Sequence, residues 1–239
     1  MLKMNFEFLL QLGEILPGDT IVDPDGTIHV AGKESVLDLA MQGGWYIMIP
    51  LAIMLLFAIF VFFERLLAIG KASRSDKNFM NKIRDYILEG KFDSAKNLCS
   101  QVNNPQARMI DKGIARIGKP MKDIATSIEN VGKLEIYRLE KNLSSLATVA
   151  GAAPMIGFLG TVIGMIGVFQ KMKDSVGGIQ IDQLSGGIMQ AMITTVAGLI
   201  IGIVAYMCYN FLVARVEKII HNMESASIEF LDVLHEPGK

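Results

Sequence analysis

Charge is missing from three long stretches of this chain. Residues 39–63, 143–169 and 183–214 hold no Asp, Glu, Lys, Arg or His over 25, 27 and 32 residues, although 23 basic and 24 acidic side chains are present in the 239 residues. A helix needs roughly 20 apolar residues to cross about 30 Å of hydrocarbon, so each stretch is long enough to span a bilayer. A buried helix of a soluble protein would normally keep one polar face, and none of the three has one. The expected fold is an all-α integral membrane protein with three transmembrane helices, the second and third extending far into the cytoplasm. An apolar content of 51% and a mean hydropathy of +0.39 agree with that class.

Other absences narrow the function. Only two cysteines occur, Cys99 in the basic middle region and Cys208 in the third uncharged stretch. On opposite sides of a membrane boundary and without metal-ligand spacing, they read as packing residues and exclude a disulfide framework or a metal centre. Gly32-Lys33-Glu34-Ser35 lacks the upstream glycine of a phosphate-binding loop, and no HExxH or GxSxG occurs. The three histidines, at 29, 221 and 235, lie in unrelated places. These gaps argue against an enzyme and against any cofactor. A net charge of −1, with basic residues scattered among acidic ones, argues against nucleic acid as a partner.

The charges that are present set an orientation. Residues 64–142 hold 16 Lys/Arg against 10 Asp/Glu, whereas residues 1–38 hold 2 against 7. Basic loops stay on the cytoplasmic side, which places the N-terminus and the 170–183 loop outside and the C-terminus inside. The expected division is an external segment over 1–40, a first transmembrane helix over 41–65 and a cytoplasmic helical region over 66–122. A long helix over 123–169 then contains span two. After the loop, a long helix over 184–234 contains span three, and 235–239 form a tail.

Within 1–40, Glu7 and Glu14 interrupt what would be the apolar core of a signal peptide. Leu2, Phe6, Leu9, Leu10 and Leu16 suit an amphipathic helix on the membrane face, with a partly ordered tail as the alternative. Asp23-Pro24-Asp25-Gly26 between β-branched runs reads as a turn or hairpin and lacks the further oxygens of a calcium loop. Gly90, Pro105, Gly113 and Gly118-Lys119-Pro120 are expected to break the cytoplasmic region into short helices. From residue 124, Ile124, Ile128, Val131, Glu135, Leu139, Leu143 and Leu146 recur at three and four, so the helix is expected to run unbroken into span two for about 70 Å, with a division near Gly132 or Gly151 as the alternative.

Spans two and three differ from the bulky first span, whose interior reads IMLLFAIFVFF. In span two, Ala150, Ala153, Gly157, Gly160, Gly164 and Gly167 fall on one stripe. Glycine weakens a helix by roughly 1 kcal/mol relative to alanine, and close backbone approach between membrane helices is the compensating gain. With Gly198 on span three, these are candidate helix-packing positions. The hydrogen-bonding side chains of these two spans include Thr148 and Thr161 in span two and Gln190, Thr194 and Thr195 in span three. A lone threonine most simply bonds back to its own helix, whereas the Gln190 amide needs partners from another helix or from water. No Asp, Glu, His, Lys or Arg lies within the spans, so proton movement requires a titrating group from elsewhere.

The run Ala153-Pro154-Met155-Ile156-Gly157-Phe158-Leu159-Gly160-Thr161-Val162 resembles the second-span motif of the MotA/TolQ/ExbB proton-channel family. Gly187 to Ala191 with Thr194 to Leu199 resembles the family's third-span motif, and Tyr209-Asn210 and Glu64-Arg65 fit the inner ends of spans three and one. The resemblance, closest to ExbB and TolQ, implies a homo-oligomeric ring, usually a pentamer. The ring would stand in the inner membrane of a Gram-negative bacterium around an ExbD- or TolR-like single-span partner. That partner's membrane aspartate would face ring threonines, here Thr161 and Thr195, with Gln190 and Thr194 beside the ion path. Gln190 stands where ExbB and TolQ commonly have glutamate, which leaves hydrogen bonding or water positioning as its role and sodium as an alternative ion. An ExbB-like chain would work through a TonB-like protein. A TolQ-like envelope motor and a non-conducting membrane scaffold are the alternatives.

Overall fold

A computed structural model describes residues 20–22, 28–30, 44–73, 78–174 and 181–235. Two three-residue strands, β1 (Thr20–Val22) and β2 (Ile28–Val30), pair antiparallel with Ile21 opposite His29. Everything else described is helix and short turns: α1 (Trp45–Ala72), α2 (Phe79–Leu88), α3 (Phe92–Val102), α4 (Pro105–Ile114), α5 (Met121–Glu140), α6 (Leu143–Asp174) and α7 (Ile181–His235). The amphipathic helix expected near the N-terminus, the 23–26 turn, residues 175–180 of the expected 170–183 loop and the last four residues lie outside the described residues.

Three helical segments, carried by α1, α6 and α7, are long and apolar enough to cross a membrane. On α1, Ile53, Leu56, Phe60 and Leu67 are each more than 60% exposed. Such a surface is costly in water and suits hydrocarbon or a partner helix. Pro50 falls in the second turn of α1, close to a helix start where few backbone bonds are lost.

The chain divides into two compact units, residues 1–48 with 160–194 and residues 49–159 with 195–239. The second unit holds the short helices α2 to α5. Asn104 caps α4 by accepting a hydrogen bond from the Ala107 amide at 2.7 Å, and Pro105 occupies the first helical position, where its missing N–H is no loss. Asn103 closes α3 in the left-handed region (φ 41°), which asparagine tolerates better than most residues. The core of this unit gathers Phe79, Ile83, Ile110, Ile128, Met223 and Phe230, all fully buried.

Two expectations change. Gly113 does not break a helix. It lies inside α4, where an added Cβ would stand 2.6 Å from Phe230 Cε1 and 2.8 Å from Ile128 Cδ1. The glycine is there because neighbouring side chains occupy the space. The long helix expected over 123–169 is divided at Lys141–Asn142 into α5 and α6, with Asn142 at φ 64°. Asn142 Nδ2 donates to Glu64 Oε2 at 3.3 Å, which ties the break to the basic end of α1. Leu139, Leu143 and Leu146 are all buried despite the break, so the apolar period runs across it unchanged. By contrast α7 continues without interruption for 55 residues.

Replacing Gly113 with alanine should destabilise the protein by about 1–3 kcal/mol through overpacking, read as a lowered Tm. Burial pushes the Cys99 thiol up to about 12. Thiolate is the reactive form, so Cys99 should resist maleimide at neutral pH in the folded protein and label after denaturation. Rapid labelling of Cys99 in the native state would contradict its burial.

Candidate functional site

Polar side chains of the spans are positioned by small residues opposite them. In the first unit, Thr194 is 2% exposed and its Oγ1 donates to the Ala191 carbonyl at 2.7 Å, three residues back on the same helix. Its side chain fills the space over Gly160, where an added Cβ would lie 2.7 Å from Thr194 Cβ and 3.2 Å from Ile47 Cγ2. One turn on, a Cβ at Gly164 would stand 2.8 Å from the Ala191 methyl. The α6 backbone therefore comes close to the Ala191 backbone of α7 at Gly164, while at Gly160 the Thr194 side chain takes up the space, as small residues at membrane-helix interfaces allow. Gly167 meets nothing within 4 Å, so this close contact does not extend to it. Thr161 is half-buried on the same stretch of α6.

Gln190 lies in the same unit. Its carboxamide sits over Gly44, the residue before α1, where an added Cβ would be 2.5 Å from Gln190 Nε2. Gly44 has φ +78°, a conformation that side chains disfavour, so glycine is required there on two grounds. The amide thus meets the start of span one, a placement that residue spacing within span three does not reveal.

In the second unit, Thr195 makes a different bond from its neighbour. Its Oγ1 donates across to the Gly157 carbonyl of α6 at 3.1 Å. Below it, a Cβ at Gly198 would stand 2.6 Å from the Ala153 carbonyl oxygen and 2.8 Å from Gly157 Cα. Gly202 approaches Pro154 and the Ala150 carbonyl in the same way, with an added Cβ 2.5 Å from Pro154 Cγ and 3.1 Å from Ala150 O. Pro154 has no N–H to offer the carbonyl four residues earlier, which is Ala150. Gly202, having no side chain, leaves room for that carbonyl against α7. Thr148 bonds back to Ser144 O at 2.9 Å and takes no part in this seam.

A second polar group was hidden in the sequence. Glu135 stands on an apolar face of α5 and is 3% exposed. It accepts from Arg138 at 2.6 Å and from Arg108 of α4 at 2.5 Å. Arg108 also donates to the Asn103 carbonyl at 3.0 Å. Arg65, at the basic end of α1, donates to Glu64 at 2.6 Å and to the Arg138 carbonyl at 3.4 Å. One acid on an otherwise apolar stripe was the available signal; its three-residue spacing to Arg138 was readable, and its pairing with Arg108 was not.

Spans two and three thus hold hydroxyl and amide groups against closely approached backbone, with no side chain between them that titrates near neutral pH. A sequence model of the MotA/TolQ/ExbB proton channel family matches residues 101–225. The chain is 25% identical over 193 residues to an ExbB homolog of Methanothermobacter thermautotrophicus named for biopolymer transport, covering 80% of this chain and 67% of that protein. It is 37% identical over 101 residues to the Tol-Pal system protein TolQ of Haemophilus influenzae, covering 42% of this chain and 44% of TolQ. Against the biopolymer transport protein ExbB of Xanthomonas campestris pv. campestris it is 38% identical over 77 residues, 32% of this chain and 30% of that one. The chain spans less than half the length of these two bacterial relatives. The family match takes in α4, α5, α6 and most of α7, more than half of the sequence, and the chain belongs to the MotA/TolQ/ExbB proton channel family.

Proposed function

We propose that this chain is the ring-forming subunit of an ExbB-like, ion-driven motor of the inner membrane of a Gram-negative bacterium. Five copies surround an ExbD-like single-span partner, whose membrane aspartate supplies the titrating group. The ring couples the proton motive force to outer-membrane transport through a TonB-like protein. The N-terminus is outside and the C-terminus in the cytoplasm, in line with the basic excess over 64–142. One proton crossing 100 mV releases about 2.3 kcal/mol, the energy available to each step.

The observation that carries this reading is the distribution of polarity. Hydroxyl and amide groups are concentrated in spans two and three, the first span has none in its bulky core, and no uncharged stretch contains an Asp, Glu, His, Lys or Arg. A conducting path built from Thr161, Thr194, Thr195 and Gln190 needs a charged partner; a non-conducting scaffold has no use for that division. The TolQ-like alternative rests on a similar identity to TolQ and to ExbB over the matched stretches.

Thr195→Val removes a hydroxyl whose interhelical bond is worth about 0.6 kcal/mol by the average for membrane helices, too little to undo the assembly. Thr195→Val and Thr161→Val should each abolish energy-dependent uptake in complemented cells while the ring still purifies intact. Normal uptake with both variants would sink the path assignment. Complementation of detergent sensitivity without rescue of uptake would move the chain to the TolQ-like branch. Affinity purification from membranes should bring down a single-span protein with an intramembrane aspartate, and its absence would favour the scaffold.

A further inference from the structure

We propose that a cavity at the basic end of α1 is a binding site for a phosphate group. The cavity measures about 170 Å³ and is lined by Arg65, Arg108, Arg138 and Glu135, with Pro105 and Leu139 among its apolar walls. At ~30 Å³ per water it has room for about five waters, enough for a four-oxygen group.

Three guanidinium groups meet here from α1, α4 and α5. Glu135 is shared between Arg108 and Arg138, and Glu64 answers Arg65 from a 38% exposed position. Three positive charges against two negative leave one positive charge in excess, the charge that a phosphodiester or dihydrogen phosphate carries with opposite sign. Arg65 is only 9% exposed as a side chain. Among the described residues, Nε of Arg65 and Nε of Arg108 are buried and have no hydrogen-bond partner. Buried guanidinium donors ordinarily find acceptors, and planar, forked donors suit phosphate oxygens. Neither side chain is needed by the seam between spans two and three, so the cavity is separate from the ion path.

Phosphate can come from a lipid headgroup or from solution. Arg65 follows the uncharged 39–63 run by two residues, at the depth where headgroups lie, and basic pockets at that depth recognise anionic lipid. The full chain, reconstituted in nanodiscs of phosphatidylcholine with or without phosphatidylglycerol, separates the sources. Native mass spectrometry counts retained phosphatidylglycerol, and thermal unfolding in phosphatidylcholine alone compares inorganic phosphate with chloride at equal ionic strength.

Wild type should retain phosphatidylglycerol or be stabilised by inorganic phosphate, and Arg65→Gln and Arg108→Gln should weaken that effect about tenfold, a change of about 1.4 kcal/mol. Lys133→Gln, which alters an exposed ion pair on α5, should leave it unchanged. Retention of lipid alone assigns a headgroup, and stabilisation by phosphate assigns a soluble anion. Arg108 is 38% exposed and leaves Glu135 paired with Arg138 when replaced, so Arg108→Gln decides the matter if Arg65→Gln does not fold. No effect of either anion in wild type, or an unchanged effect in Arg108→Gln, overturns the site.

Discussion

Close approach of the α6 and α7 backbones is the constraint on which the membrane part of this protein depends. In hydrocarbon, two helices gain nothing from hiding apolar side chains from each other, because lipid is as apolar as leucine. What holds them is contact at short range, and short range requires the side chain to be missing. Gly160 and Gly164 provide it in one unit, and Gly198 and Gly202 in the other. Gly198 and Gly202 leave room for the opposing carbonyls of Ala153 and Ala150, and Thr195 adds its hydrogen bond to Gly157. A methyl at any of these four positions would push the backbones apart and weaken these contacts together.

The polar cluster at the other end of the molecule's second unit obeys the opposite rule. Glu135 is a buried carboxylate shared by Arg108 and Arg138, both of which reach solvent. Either arginine can be lost with Glu135 still paired, whereas loss of both would leave its charge buried alone, at a cost greater than the pairs contribute. The α4 and α5 helices are therefore joined through Arg108 and Glu135, and Arg65 ties the end of α1 to the same group through the Arg138 carbonyl.

Much of this was legible in the residues. The three uncharged runs identify the spanning helices because length and lack of charge are enough for that inference. The glycine stripe shows which face of span two meets a neighbour, through Gly164. The break at Lys141–Asn142 was hidden because Leu139, Leu143 and Leu146 keep a helical period across it. A periodic pattern reports which side faces inward, and two turn residues can preserve that side while ending a helix. Gly113 was misread for a related reason: a glycine in sequence signals either backbone freedom or crowding, and only the positions of Phe230 and Ile128 tell which. Contacts between residues far apart, such as Arg108 with Glu135 or Gln190 over Gly44, have no local signature at all.

The break at Asn142 has a mechanical consequence. A continuous helix is stiff along its axis, and α7 runs without a break for 55 residues, about 80 Å. The α5–α6 pair is jointed instead. Two turn residues separate the segments, and a twist or tilt of α6 can be absorbed there before it reaches α5. Of the helices that carry spans two and three, one continues past its span as a single piece and the other meets a two-residue joint.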